Sequence, residues 1–273
     1  MAMATGDCNL VLGVNNYRKA TVFVGGNSDD AIQIDAFAAA RVAANDATGT
    51  ITGWVNMPDI SGTYTLMGLG DANAVEYLDF GVENGKLIAR AFDGGAMQFD
   101  INSTDVVITP HKWHHIALVQ NGTRPTLYVD GAAVAMTDTT TTDLTQWLDD
   151  MDAVDSGSIG ATDSEAGGAA LTNEFKGGIS DVKYYNDALS ATEIAQDYAN
   201  IFDTTNLISW WDMDNDYVDS VSSHNGTAVG DVFLSNGYGE LASRVKQAGA
   251  VVADDVSLAN QGNVIIGALI IKA

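Results

Sequence analysis

The chain is poor in cysteine, in positive charge and in long apolar spans, and each shortage excludes something. One cysteine, Cys8, stands among 273 residues, so no internal disulfide can form and the fold must rest on packing. Twelve Lys and Arg face 36 Asp and Glu, a net charge of −24. A chain this acidic repels phosphate backbones and anionic lipid surfaces, which argues against nucleic acid as a partner. It suits a saline setting, divalent cations, or a particle exterior that must stay dispersed. No stretch reaches the roughly 20 apolar residues of a membrane helix, so membrane insertion is not expected. Residues 1–7 show neither the basic segment nor the apolar run of a secretory signal, and synthesis in the cytoplasm without a signal peptide is expected. No Ser, Cys or Lys sits in a nucleophile motif, and the glycine pairs lack the lysine of a phosphate loop.

What is present is β-pattern. Trp113 to Val119 is a strand-like run, and Leu127-Tyr128-Val129-Asp130-Gly131 is a second that ends in a tight-turn pair. Asp130-Gly131 supplies the positive-φ residues of a two-residue hairpin, joining Thr126 to Val129 with Ala132 to Met136. Further strands fit residues 22–24, 32–34, 48–57, 63–69, 77–82, 86–92, 97–101, 175–185 and 207–214, separated by Asp, Asn and Gly. An alanine-rich connection is expected after Ile34. A long polar surface loop is expected over 137–170, with at most a helical turn near 144–148. Ser190-Ala191-Thr192-Glu193 reads as a capping box that opens one short helix near 190–200.

Hydrophobic residues at 46% suffice for one large core. The expected organisation is an N-terminal arm over 1–19, a sandwich over 20–235, and a C-terminal arm over 236–273 ending in the apolar strand candidate Val264 to Ile271. Residues 207–235 are expected to close the sandwich, since too few residues remain for a second one. Both arms, Cys8 to Val14 and Val264 to Ile271, are β-prone segments of the kind that add a strand to a neighbour's sheet.

Candidate chemistry is sparse. Asp212, Asp214, Asp216 and Asp219 place hard oxygen ligands in a short span, as calcium requires. The span is no EF-hand, because Tyr217 holds the place of the glycine and Ser223 that of the bidentate glutamate. Asp149, Asp150, Asp152 and Asp155 form a second such cluster, and solvated carboxylates are the plain alternative for both. Glu76, Asp79 and Glu83 read as surface carboxylates. His114 and His115 should point to opposite faces of one strand, so they cannot share a metal ion, and a structural role is expected. Four tryptophans read as core. Trp147, in the polar loop, is the one expected to stack on a glycan.

Four segments, in this order and spacing, resemble the laminin-G-like branch of the concanavalin A-like lectin and glucanase superfamily. They are Gly26 to Ile34, Ile51 to Val55, Trp113 to Gly131, and Phe175 to Val182 leading into Tyr185 to Ser190. The resemblance implies an all-β fold, a two-sheet antiparallel jelly-roll sandwich. It also implies calcium at a sheet rim as a candidate cofactor. The closely spaced carboxylates of the superfamily's hydrolases are absent from the Glu76 to Glu83 strand, so the resemblance implies no enzyme here. The reading is a non-enzymatic structural or interaction protein, a phage capsid decoration or virion surface protein, partnered by other virion subunits and by itself. The alternative is a calcium-dependent carbohydrate-binding adhesin, and a diverged glycoside hydrolase comes third.

Overall fold

A computed structural model of the chain describes residues 17–25, 29–71, 76–151, 154–162 and 171–239. Sixteen strands form two antiparallel sheets, and two helices accompany them among the described residues. The first sheet holds β1 (Tyr17–Phe23), β3 (Gly49–Asn56), β8 (Trp113–Gln120), β9 (Thr126–Val129), β10 (Ala132–Ala133), β13 (Gly177–Tyr185), β14 (Leu207–Trp211) and β16 (Val232–Gly239). Its order is β10-β9-β8-β3-β13-β1-β16, with β14 beside the far half of β13. The second holds β2 (Ala31–Gln33), β4 (Thr63–Gly70), β5 (Tyr77–Glu83), β6 (Lys86–Asp93), β7 (Ala96–Ser103), β11 (Met136–Thr141), β12 (Ser156–Ile159) and β15 (Thr227–Val229). Its order is β11-β7-β6-β5-β4-β12-β2-β15. This is the expected two-sheet jelly roll.

The alternation of side chains explains the packing. On β8, Ile116 and Leu118 enter the core between the sheets, while Ala117 and Val119 turn outward against Ile194. All eight residues of β8 are buried, because α2 (Ala191–Tyr198) covers the outer face of the first sheet. Ser190 caps that helix by the reciprocal bonds the sequence suggests: its hydroxyl accepts from the Glu193 amide, and Glu193 accepts from the Ser190 amide at 2.7 Å. At the β9–β10 turn, Asp130 and Gly131 have φ of 49° and 80°, the mirror-image turn that matches the twist of the strands.

Three expectations are corrected. The alanine-rich connection is a second helix, α1 (Asp35–Ala44): alanine has the highest helix propensity, Phe37 and Ala38 are buried, and Asn45 ends the helix in a left-handed cap. Residues 132–136 are not one strand but a crossing, with β10 in the first sheet and β11 in the second. The long polar loop contains two strands among its described residues. Its threonines form β11, an edge strand with alternating exposure, β12 sits inside the second sheet, and Trp147, Leu148, Met151 and Val154 belong to the core.

Residues 207–239 complete the two sheets: β14 pairs with β13, β15 with β2 and β16 with β1. Phe37 knits this closure, its ring edge-on to Tyr184 at 5.0 Å and to Trp211 at 5.2 Å. The arm segments Cys8 to Val14 and Val264 to Ile271 lie outside the described residues. No helix among the described residues is long and apolar enough to cross a membrane.

Candidate functional site

The structure does not bring the four candidate calcium ligands together. Asp212 accepts from the amide of Asp214 and Asp216 from that of Val218, each at 3.0 Å, which are the self-bonded turns aspartate favours. Asp214 pairs with Lys19 at 3.8 Å. The Asp219 side chain is fully buried and accepts from the amides of Trp210 and Val221 at 3.0 Å, and from the Ser222 hydroxyl. Burial pushes its carboxyl up, but these bonds hold it below the ordinary aspartate range. Among the described residues no three His, Cys, Asp or Glu side chains are grouped to hold a metal ion. In the second acidic cluster, Asp152 lies outside the described residues.

Trp147 is a core residue, not a glycan platform. Its ring is fully buried, and its indole N–H donates to the Tyr184 hydroxyl at 3.3 Å, which in turn donates to Asp46 at 3.1 Å. The surrounding polar sequence concealed an apolar anchor that draws the segment into the sandwich.

His114 and His115 do part to opposite faces. His114 Nδ1 meets Asp130 at 3.0 Å and its Nε2 accepts from the Thr109 amide. His115 meets Asp197 of α2 at 3.1 Å, and Asp197 also pairs with Lys183 at 2.9 Å. The side chains of these three are at most 1% exposed. Burial pushes the Asp197 carboxyl up, yet the His115 bond and the Lys183 charge hold it well below the usual range. Sealed under the helix, the trio fastens α2 to the sheet.

The chemistry open to solvent lies on the outer face of the second sheet. Leu78, Phe80 and Val82 of β5 enter the core, so Tyr77, Asp79 and Glu83 face outward. Their register partners on β6 are Phe92, Arg90 and Lys86, and Asp100 of β7 lies opposite Arg90. The Tyr77 and Phe92 rings, both partly exposed, stack at 5.7 Å with 8° between their planes. Beside them the Arg90 guanidinium reaches Glu83 at 2.9 Å and Asp100 at 3.3 Å. Asn102 donates to Asp100 at 3.0 Å.

Two of the three carboxylates read as surface groups prove buried. Glu76 is 7% and Asp79 1% exposed. Asp79 accepts from Thr65 at 2.7 Å and from Thr162 at 2.9 Å, and the two hydroxyls lie 2.7 Å from each other. Burial raises the Asp79 carboxyl, while the threonine bonds and Arg90 draw it back only in part. Both hydroxyls reach the same carboxyl oxygen and cover it. Glu83 differs: burial is outweighed by Arg90 and Thr63, and its carboxyl is lowered. A pair of aromatic rings beside fixed donors and acceptors can stack on a sugar ring and bond its hydroxyls. Sequence reasoning missed this site because Tyr77 and Phe92 are far apart in the chain and meet only through the β5–β6 register.

The family model described as the concanavalin A-like lectin/glucanases superfamily matches residues 10–195, and no curated protein sequence matches the chain. Solved structures share the fold at low identity. The Ruminococcus gnavus IT-sialidase CBM40 bound to α2,3 sialyllactose is 15% identical, with a TM-score of 0.53 over 65% of this chain and 97% of that one. The native heptameric SAP-like pentraxin of Limulus polyphemus is 15% identical, with a TM-score of 0.51 over 84% of this chain and 99% of that one. The leech intramolecular trans-sialidase complexed with 2,7-anhydro-Neu5Ac is 18% identical, with a TM-score of 0.51, but the match spans only 28% of that chain and 67% of this one. With the family model covering more than half of its length, the chain belongs to the concanavalin A-like lectin/glucanase superfamily.

Proposed function

We propose that this protein is a non-catalytic carbohydrate-binding module whose glycan lies on the Tyr77–Phe92 face. The observation that carries the reading is the partly exposed aromatic stack, at 5.7 Å, set beside the Arg90, Glu83 and Asp100 network. Membership of a lectin-containing superfamily and the fold shared with a sialyllactose-bound CBM40 support it. A non-catalytic role is supported by the state of the carboxylates: Asp79 is closed off under two threonines, and Glu83 is held ionised by Arg90, so neither is an open proton donor for a leaving group. This reading places the glycan away from the aspartates of residues 212–219 and assigns calcium no part in it.

The test is a panel of neutral, amine-bearing and acidic oligosaccharides titrated calorimetrically into the full chain, with and without chelator. Binding that survives chelator and weakens about tenfold in Tyr77→Ala and in Phe92→Ala, a loss of ~1.4 kcal/mol, supports the proposal. Silence across the panel, or binding untouched by both substitutions, contradicts it.

A second reading is a capsid decoration or virion surface protein that assembles with its own copies or other virion subunits through arms at 1–19 and 236–273. It is favoured by the charge of −24 and by β16, an edge strand whose one neighbour among the described residues is β1. A large, fixed assembly by sedimentation, lost on deleting residues 260–273, supports it. A monomer in dilute buffer contradicts it.

A further inference from the structure

Acidic sugars are ordinarily gripped by a guanidinium with its paired N–H groups free, because a carboxylate or sulfate accepts two parallel bonds from that fork. Arg90 does not offer a free fork. Its Nε points to Asp100 at 3.3 Å and one terminal nitrogen donates to Glu83 at 2.9 Å. Asp79 is its direct register partner on β5. The other cation of this face, Lys86, donates to the Thr104 carbonyl at 2.8 Å. Two engaged cations therefore stand beside Glu83 and Asp100, in a chain whose net charge is −24.

An incoming carboxylate could reach only the remaining N–H groups of Arg90, and would then stand beside Glu83 and Asp100. Like charges this close repel most strongly where water is thinned. A neutral sugar meets no such conflict. Its hydroxyls can accept from the remaining Arg90 N–H groups and donate to Glu83 and Asp100, while its ring covers Tyr77 or Phe92. An amine in place of a hydroxyl adds attraction.

We propose that the Tyr77–Phe92 face selects glycans without acidic groups, uncharged or amine-bearing, and rejects sialylated and sulfated ones. This inference rests on the reading of that face as the glycan site. The selectivity is set by Glu83 and Asp100, which keep Arg90 occupied, and not by the aromatic pair, which is indifferent to charge.

The experiment compares matched oligosaccharides, sialylated and desialylated, titrated into the full chain at low and at high salt. Wild-type protein should bind the desialylated form about tenfold or more tightly at low salt, and the gap should narrow as salt screens the repulsion. Glu83→Gln with Asp100→Asn leaves both rings in place and releases Arg90, so the preference should move at least tenfold towards the sialylated form. Glu83→Gln alone should move it part of the way, and serves if the double variant fails to fold. Equal or tighter binding of the sialylated form by wild type overturns the inference while leaving the glycan reading intact. So does an unchanged preference in the folded variants. No binding of either form removes the glycan reading and this inference with it.

Discussion

Removing one charge from under α2 should cost far more than removing two. Lys183 and Asp197 form an ion pair at 2.9 Å with side chains 1% and 0% exposed. Asp197→Asn leaves the Lys183 ammonium buried without its counter-charge, and breaking a buried pair this way costs about 3–5 kcal/mol. In a protein whose total stability is of order 5–15 kcal/mol, that is a large fraction, equivalent to a melting temperature lower by roughly 6–20 °C. Lys183→Met should cost less, because His115 stays 3.1 Å from the carboxylate and continues to hydrogen-bond it. The double variant carries neither charge, keeps a side-chain amide oxygen as the acceptor for His115 where the carboxylate stood, and should recover most of the stability lost in Asp197→Asn. Urea unfolding of the four proteins closes the cycle. If the two single effects simply add, with a coupling below about 0.5 kcal/mol, the buried pair does not fasten the helix and the reasoning is refuted.

Other outcomes follow from single side chains. Ser190→Ala removes the hydroxyl that caps α2 and should lower stability by ~1 kcal/mol, read from the urea midpoint. Gly160→Ala should cost about 2–4 kcal/mol, since a Cβ there would stand 2.2 Å from the Phe23 ring at a φ of +92°; a melting temperature within a degree of wild type contradicts this. Asp79 has a folded-state pKa above the ordinary 3.8, so the folded protein binds the extra proton. Its contribution is fully present below that ordinary value and is lost as pH rises through the folded one. Asp79→Asn keeps an acceptor for Thr65 and Thr162 and should lose less stability than wild type between pH 4 and 8, measured by denaturant midpoints across that range.

Strand positions were legible where composition and period agreed. The Trp113 to Val129 segment, the Asp130-Gly131 turn and the Ser190 cap are local devices, fixed by residues within a few positions of one another, and the structure places them as the sequence implies. The errors arose where tertiary packing overrode local polarity. Thr137 to Thr141 looks like loop but is an edge strand with one solvated face, and Trp147 sits among polar neighbours yet fills the core. The helix Asp35–Ala44 was hidden because alanine carries little periodic signal, and only Phe37 and Ala38 mark its buried side. In the span 212–219, Asp212 and Asp216 each accept a backbone amide two residues on, a turn role that their spacing does not separate from a ligand's. The candidate glycan face depends on register between β5, β6 and β7, which no local pattern encodes.

The most direct test of the account is an amide chemical-shift titration of the full chain with a neutral oligosaccharide drawn from the binding panel. The account predicts saturable shifts centred on Tyr77, Glu83, Arg90, Phe92 and Asp100, with residues of α2 and of 212–219 unmoved. Shifts confined to α2 or to the aspartate turns, with the β5–β7 face silent, would contradict it.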